Sequence, residues 1–143
     1  MKSNIAYEIQ GDGFPIIFIH GVGSRKYSWN AVINKLKNNY LCVTYDLRGH
    51  GDSLLTGSNN FTMDDLIHDV EELRSHLNFK KINLVGHSLG GQIAPSYAKK
   101  YPERTKSLVM LSTAAFRTDV EKKKILDLVA LMKKSGLEAV LPK

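Results

Sequence analysis

Ser88 lies at the centre of Gly86-His87-Ser88-Leu89-Gly90, followed by Gly91. The apolar run Ile82 to Val85 precedes this motif directly, and a segment of helical pattern, Gln92 to Tyr101, follows it. A serine at so tight a strand-to-helix turn is held in strained backbone angles. Side chains two residues to either side would collide, so glycine at 86 and 90 answers a steric demand. The turn lifts Oγ of Ser88 above the strand ends. It also aims the amide of Leu89 and the positive end of the following helix at one point, where negative charge would gather if the serine attacked a carbonyl. The chemistry on offer is nucleophilic acyl transfer.

Such a site needs a second oxyanion donor from the loop after an earlier strand. His20-Gly21-Val22-Gly23-Ser24 follows the run Ile16 to His20, and its two glycines let the backbone bend so that the amide of Val22 faces Ser88. His20, closing a strand, is expected to pack and to hydrogen-bond the loop, and His87 is expected to point away from Oγ. A third block, Asp46-Leu47-Arg48-Gly49-His50-Gly51-Asp52-Ser53, follows the run Leu41 to Tyr45. It reads as a compact turn held by its own Asp, Arg and Ser groups. Its glycine order matches neither a phosphate-binding loop nor the dinucleotide fingerprint. No cluster of histidine, cysteine and carboxylate at ligand spacing implies a metal, and no cofactor is expected.

The elements that must position these loops alternate short β-branched runs with segments of helical period, the pattern of an α/β domain whose mostly parallel sheet is flanked by helices. Ile5 to Gln10 alternates as an exposed or edge strand, and Gly11-Asp12-Gly13 after it reads locally as a hairpin turn. Ile16 to His20, Leu41 to Tyr45, Ile82 to Val85 and Ser107 to Leu111 read as core strands. Ser28 suits the N-cap of a helix carrying Trp29, Val32, Ile33 and Leu36 on one side. Thr62 with Asp65 resembles a capping box opening a helix through His76, with Leu66, Val70, Leu73 and Leu77 as its buried stripe. Pro95 predicts a bend in the helix from Leu89 to Lys100. Asp119 to Lys134 reads as a last helix, its apolar Ile125, Leu128, Val129 and Met132 at helical spacing.

The chain has 143 residues, 43% hydrophobic, 24% charged and 8% aromatic, which excludes disordered, fibrous and disulfide-stapled classes. Its net charge of +6 divides evenly between residues 1–116 and the much shorter 117–143. Lys122, Lys123, Lys124, Lys133 and Lys134 flank an amphipathic stretch without interleaved aromatics, so they read as a solvated helix face and no nucleic-acid partner is implied. Apolar runs reach about five residues against the ~20 of a membrane span, and no secretory signal opens the chain. With the lone Cys42 inside an apolar run, a cytoplasmic protein is expected.

HGVGS, DLRGHGDS and GHSLGG, in that order and after successive strands, resemble the N-terminal half of an α/β-hydrolase of the prokaryotic esterase and perhydrolase-like group. The resemblance implies Ser88 as nucleophile, with the amides of Val22 and Leu89 as oxyanion hole. It also implies that the strand before DLRG lies between the strands on either side of Gly11-Asp12-Gly13, which replaces the hairpin. Residues 1–116 then form the N-terminal part of the core domain, and 117–143 the start of a helical cap. The triad of this fold runs Ser, then Asp or Glu, then His. None of the five histidines, His20, His50, His68, His76 and His87, follows Ser88. Where some relatives place the acid, this chain has Leu111-Ser112-Thr113, and Asp119, Glu121 and Asp127 read as helix-surface charges.

The expectation is therefore a serine hydrolase acting on a carboxylic ester or similar small acyl substrate, present as a fragment that lacks the catalytic acid and histidine. Its fold would be truncated before the last strands, leaving Ser107 to Ser112 as an apolar edge open to self-association. Alternatives are a C–C bond hydrolase or lactonase of the same fold, and a non-catalytic binding protein that retains the elbow.

Overall fold

Ile16 and Phe18 face one side of a central strand, Ile17 and Ile19 the other, and all four are buried. A strand apolar on both faces needs a neighbour on each edge and a layer over each face. The computed structural model, which describes residues 5–54, 60–113 and 118–135, shows how both are supplied. Strands β1 (Tyr7–Gln10), β2 (Phe14–Ile19), β3 (Tyr40–Tyr45), β4 (Ile82–His87) and β5 (Thr105–Leu111) form one sheet in the order β1-β3-β2-β4-β5. β1 runs antiparallel to β3, and the remaining pairs are parallel.

Gly11-Asp12-Gly13 therefore closes no hairpin. Both glycines have positive φ, +85° and +116°, and a Cβ on either would press into backbone between Lys37 and Tyr40. The turn passes so close beneath the entry to β3 that β3 slots between β1 and β2, as the family resemblance implies.

One face of the sheet is covered by a 3-10 turn, Lys26–Trp29, and helix α1 (Asn30–Leu36). Trp29 and Ile33 pack there on Ile16, Phe18 and Cys42. Ser28 sits within the 3-10 turn and caps nothing, its N–H bonding Arg25 O at 3.0 Å. Because that turn winds tighter than an α-helix, the apolar stripe changes phase between Trp29 and Ile33, and Val32 is left exposed.

The other face carries helices α2 (Met63–His76) and α3 (Gly90–Lys100), whose Leu66, Val70, Leu73, Ile93, Ala94 and Tyr97 bury Ile17, Ile19, Val43, Ile82 and Leu84. α2 opens with the expected capping box. Asp65 N–H donates to Thr62 Oγ1 at 3.3 Å, and Thr62 N–H donates to the Asp65 carboxylate at 2.7 Å. It closes at Asn78, whose φ of +58° is the left-handed step that ends many helices. α3 stays helical from Gly90 to Lys100 with Pro95 inside it.

Among the described residues β5 pairs with β4 alone, and Val109, Met110 and Leu111 along it are exposed. The chain divides into two units, Met1–Thr113 and Ala114–Lys143. In the second, helix α4 (Asp119–Ser135) begins with a box in which Thr118 and Glu121 cap one another. Ile125 and Val129 on it are exposed, while the side chains of Leu128, Met132 and Lys133 lie outside the described residues, as does residue 117, where the cap is expected to start. No helix among the described residues is long and apolar enough to cross a membrane.

Candidate active site

From β2 the chain crosses to β3 on one side and later returns to place β4 on the other. Ligands of open α/β sheets bind at such a reversal, outside the carboxyl ends of the strands. Ile19 of β2 pairs with Gly86 of β4, so two residues beyond each lie Gly21 and Ser88. They meet closely: a Cβ added to Gly21 would sit 2.9 Å from the Cβ of Ser88. The glycine lets the first loop press its backbone against the serine.

Ser88 has φ +53°, a left-handed conformation that costs a non-glycine residue roughly 1–2 kcal/mol. Contacts on both sides hold it there. Its N–H donates to Leu111 O at 3.0 Å, and its carbonyl accepts from Thr113 Oγ1 at 3.3 Å. Gly86 has the steric role expected of it, since a Cβ there would overlap the Gly90 carbonyl, whereas Gly90 is required by the neighbouring strand: a Cβ on it would overlap the Ile19 carbonyl of β2. Leu89 precedes the first helical residue, and its carbonyl accepts the first α3 bonds, from Gln92 N–H at 2.9 Å and Ile93 N–H at 3.0 Å. The amide of Leu89 belongs to the start of the helix, where N–H groups have no partner within the helix and the dipole favours negative charge.

In the first loop, Val22 turns its side chain outward, 73% exposed, while Gly21 is buried. His20 is buried as expected and serves the loop. Leu47 N–H donates to Nε2 at 3.0 Å, so that nitrogen carries a lone pair, and Nδ1 carries the proton that Gly21 O accepts at 2.7 Å. Burial lowers the pKa of this imidazole below 6.5, which keeps it neutral. His87 is exposed, with Nδ1 near the Gly21 backbone. Among the described residues the ring nitrogens of His20, His50 and His76 bond Gly21 and Leu47, Arg48 O and Tyr7 OH respectively. None of these bonds activates Ser88.

The third loop braces the first, through a residue the sequence did not single out. Lys26, buried at the start of the 3-10 turn, donates its N–H to Asp46 Oδ1 at 2.6 Å and its ammonium to Asp46 Oδ2 at 2.9 Å, and also reaches Asp52. Asp46 further accepts from Asp52 N–H at 2.9 Å. Burial opposes ionisation of Asp46, but these bonds outweigh it and hold its pKa below 3.8. Burial likewise opposes the Lys26 charge, and the two aspartates more than compensate. Lys26 sits in a surface-like sequence context that gives no periodic signal; its carboxylate partners lie 20 and 26 residues away. The Arg48 side chain is not part of the loop's own bonding. It makes a two-pronged pair with Asp69 of α2, both contacts 2.7 Å, so its guanidinium is occupied. Groupings of three or more histidine, cysteine or carboxylate side chains fit to hold a metal are absent among the described residues.

A family model described as alpha/beta hydrolase fold matches residues 15–135. The chain is 36% identical over 117 residues to a cis-3-alkyl-4-alkyloxetan-2-one decarboxylase of Shewanella oneidensis, covering 80% of this chain and 37% of that protein. Among solved structures it resembles one described under carboxylesterases of Nitrososphaera gargenis, with TM-score 0.82 and 29% identity, over 94% of this chain and 51% of that one. It also resembles a meta-cleavage product hydrolase of Pseudomonas fluorescens, with TM-score 0.77 and 29% identity, over 80% of this chain and 43% of that one. The chain thus spans between 37% and 51% of these three proteins.

Proposed function

This chain belongs to the α/β hydrolase fold family, and from that premise we propose that it carries the nucleophile and oxyanion hole of a serine hydrolase acting on a carboxylic ester or similar small acyl group. The observation that carries the reading is Ser88 at φ +53° on a strand-to-helix turn, with Gly21 of the neighbouring loop against its Cβ. Oγ attacks the acyl carbon, the amides of Val22 and Leu89 hold the oxyanion of the tetrahedral adduct, and its collapse expels the alcohol to leave the acyl-enzyme, which water then hydrolyses to free the acid and Ser88. The proton passes through a histidine absent from this chain, as is the acid. Two facts support this: no histidine follows Ser88, and the chain spans only part of its relatives. Residues from 117 onward open the cap that selects substrate. The single buried thiol, Cys42, suits a reducing compartment, and we place the protein in the cytoplasm.

A fluorophosphonate ester should label Ser88 in the full gene product and fail with Ser88→Ala. An unlabelled full product would overturn the hydrolase reading. The 143-residue chain alone should turn over nitrophenyl acetate only feebly, since a site stripped of its proton relay keeps about 10³ to 10⁴-fold over water from the oxyanion hole and binding. Turnover by the short chain equal to that of the full product would refute the missing base.

The likeness to the meta-cleavage product hydrolase supports a second reading, cleavage of a C–C bond beside a carbonyl by the same serine. Comparing ester and β-diketone hydrolysis by the full product separates the two.

A further inference from the structure

Each of the two amides assigned to the oxyanion hole shares a peptide plane with a carbonyl that a side chain holds from behind. For Val22 that carbonyl is Gly21 O, which accepts from the neutral His20 ring at 2.7 Å. For Leu89 it is Ser88 O, which accepts from Thr113 Oγ1 at 3.3 Å. A peptide is rigid and trans, so its C=O and N–H point in opposite directions, and fixing the carbonyl fixes the direction of the amide on its far side. We propose that Thr113 is a positioning residue for the reaction: its hydroxyl orients the Ser88–Leu89 peptide and thereby aims the Leu89 amide at the oxyanion. The inference rests on the reading of Ser88 as nucleophile.

Three features place the hydroxyl. Ser112 adopts φ +48°, a left-handed step directly after β5 that turns the chain back toward the elbow. The same hydroxyl lies 3.2 Å from Leu111 O, the carbonyl that receives Ser88 N–H, so its one proton is shared between that carbonyl and Ser88 O and links the strained serine to the end of β5. Gly91 supplies the room: a Cβ there would overlap Thr113 Oγ1 and come within 2.8 Å of its Cβ. The second glycine of Gly90-Gly91 is thereby explained by the threonine rather than by the turn.

The test compares Thr113→Val, which keeps the shape and removes the hydroxyl, with Thr113→Ser, which keeps the hydroxyl, in the full gene product. A whole oxyanion donor is worth about 10² to 10³ in kcat, so loosening one should slow fluorophosphonate labelling of Ser88 and ester kcat by about 10-fold in Thr113→Val, with KM little changed. Thr113→Ser should recover most of both rates. Thr113→Val at the wild-type rate, or Thr113→Ser as slow as Thr113→Val, would overturn the proposal. If wild type itself takes no label, the nucleophile reading fails instead, and a size exchange then decides the placement of Thr113 alone. Gly91→Ala should lower the melting temperature, and adding Thr113→Ala should restore most of it. Strictly additive losses would refute the contact.

Discussion

The Asp46 carboxylate receives three hydrogen bonds with almost no access to water, from Lys26 N–H, Lys26 Nζ and Asp52 N–H. Removing one partner of such a pair strands a buried charge. Lys26→Met should cost about 3–5 kcal/mol in urea unfolding, whereas replacing Lys26 and Asp46 together by apolar residues should cost clearly less than the single change. A single change below about 1 kcal/mol would show that water reaches the carboxylate. His20 gives the protein a pH response of defined sign. Folded, the ring is neutral with its pKa lowered from 6.5 by burial; the nearby His50 ring also lowers it, and the Gly21 bond and Asp46 oppose the shift. The unfolded chain therefore binds the proton first, so this contribution to stability is complete above about pH 6.5 and declines as pH falls below it. Thermal unfolding between about pH 7.5 and about pH 5 should show the decline, and His20→Gln should flatten it. An unchanged slope in the variant would assign the response to another group. The corresponding loss from Asp46 belongs to more acidic conditions, below its ordinary 3.8.

The elements divide by how local their causes are. The Thr62 box is written in four consecutive residues and was readable; Thr62→Ala should cost about 1 kcal/mol by thermal or urea unfolding, and no loss would mean that α2 is held by packing alone. The elbow was equally readable, because Gly86 answers a clash with Gly90 inside a turn that closes within five residues, although Gly90 itself makes room for the Ile19 carbonyl of β2. The residues that failed to announce themselves depend on distant partners. Ser28 looks like a cap, but Trp29 must reach Phe18, 5.3 Å between ring centroids, and that demand draws the preceding residues into a 3-10 turn. Lys26 resembles any surface lysine until Asp46 arrives from the end of β3. The strand after Ile5 pairs across the sheet with β3, and only likeness to a known order of motifs could place it; local turn chemistry pointed to the wrong neighbour.

At the scale of the whole molecule, β5 ends the sheet among the described residues, with no strand on its outer edge and with exposed Val109, Met110 and Leu111, which are 47%, 38% and 42% accessible. Such an edge is a template for another strand. We propose that the 143-residue chain self-associates through it. Sedimentation should show mass rising with concentration and Val109→Lys should weaken the rise; a monomer at all concentrations would remove the idea. The strand order also has a consequence in time. β2 and β3 can pair once residue 45 is made, but the other edge of β2 must wait for β4, which ends at His87. At ~5–20 residues per second, the roughly forty intervening residues leave that edge bare for about 2–8 s of synthesis. The loop bearing Gly21 is thus present on the nascent chain before the serine it will press against has been translated. The two halves of the site are translated at separate times and can meet only once β4 has been made.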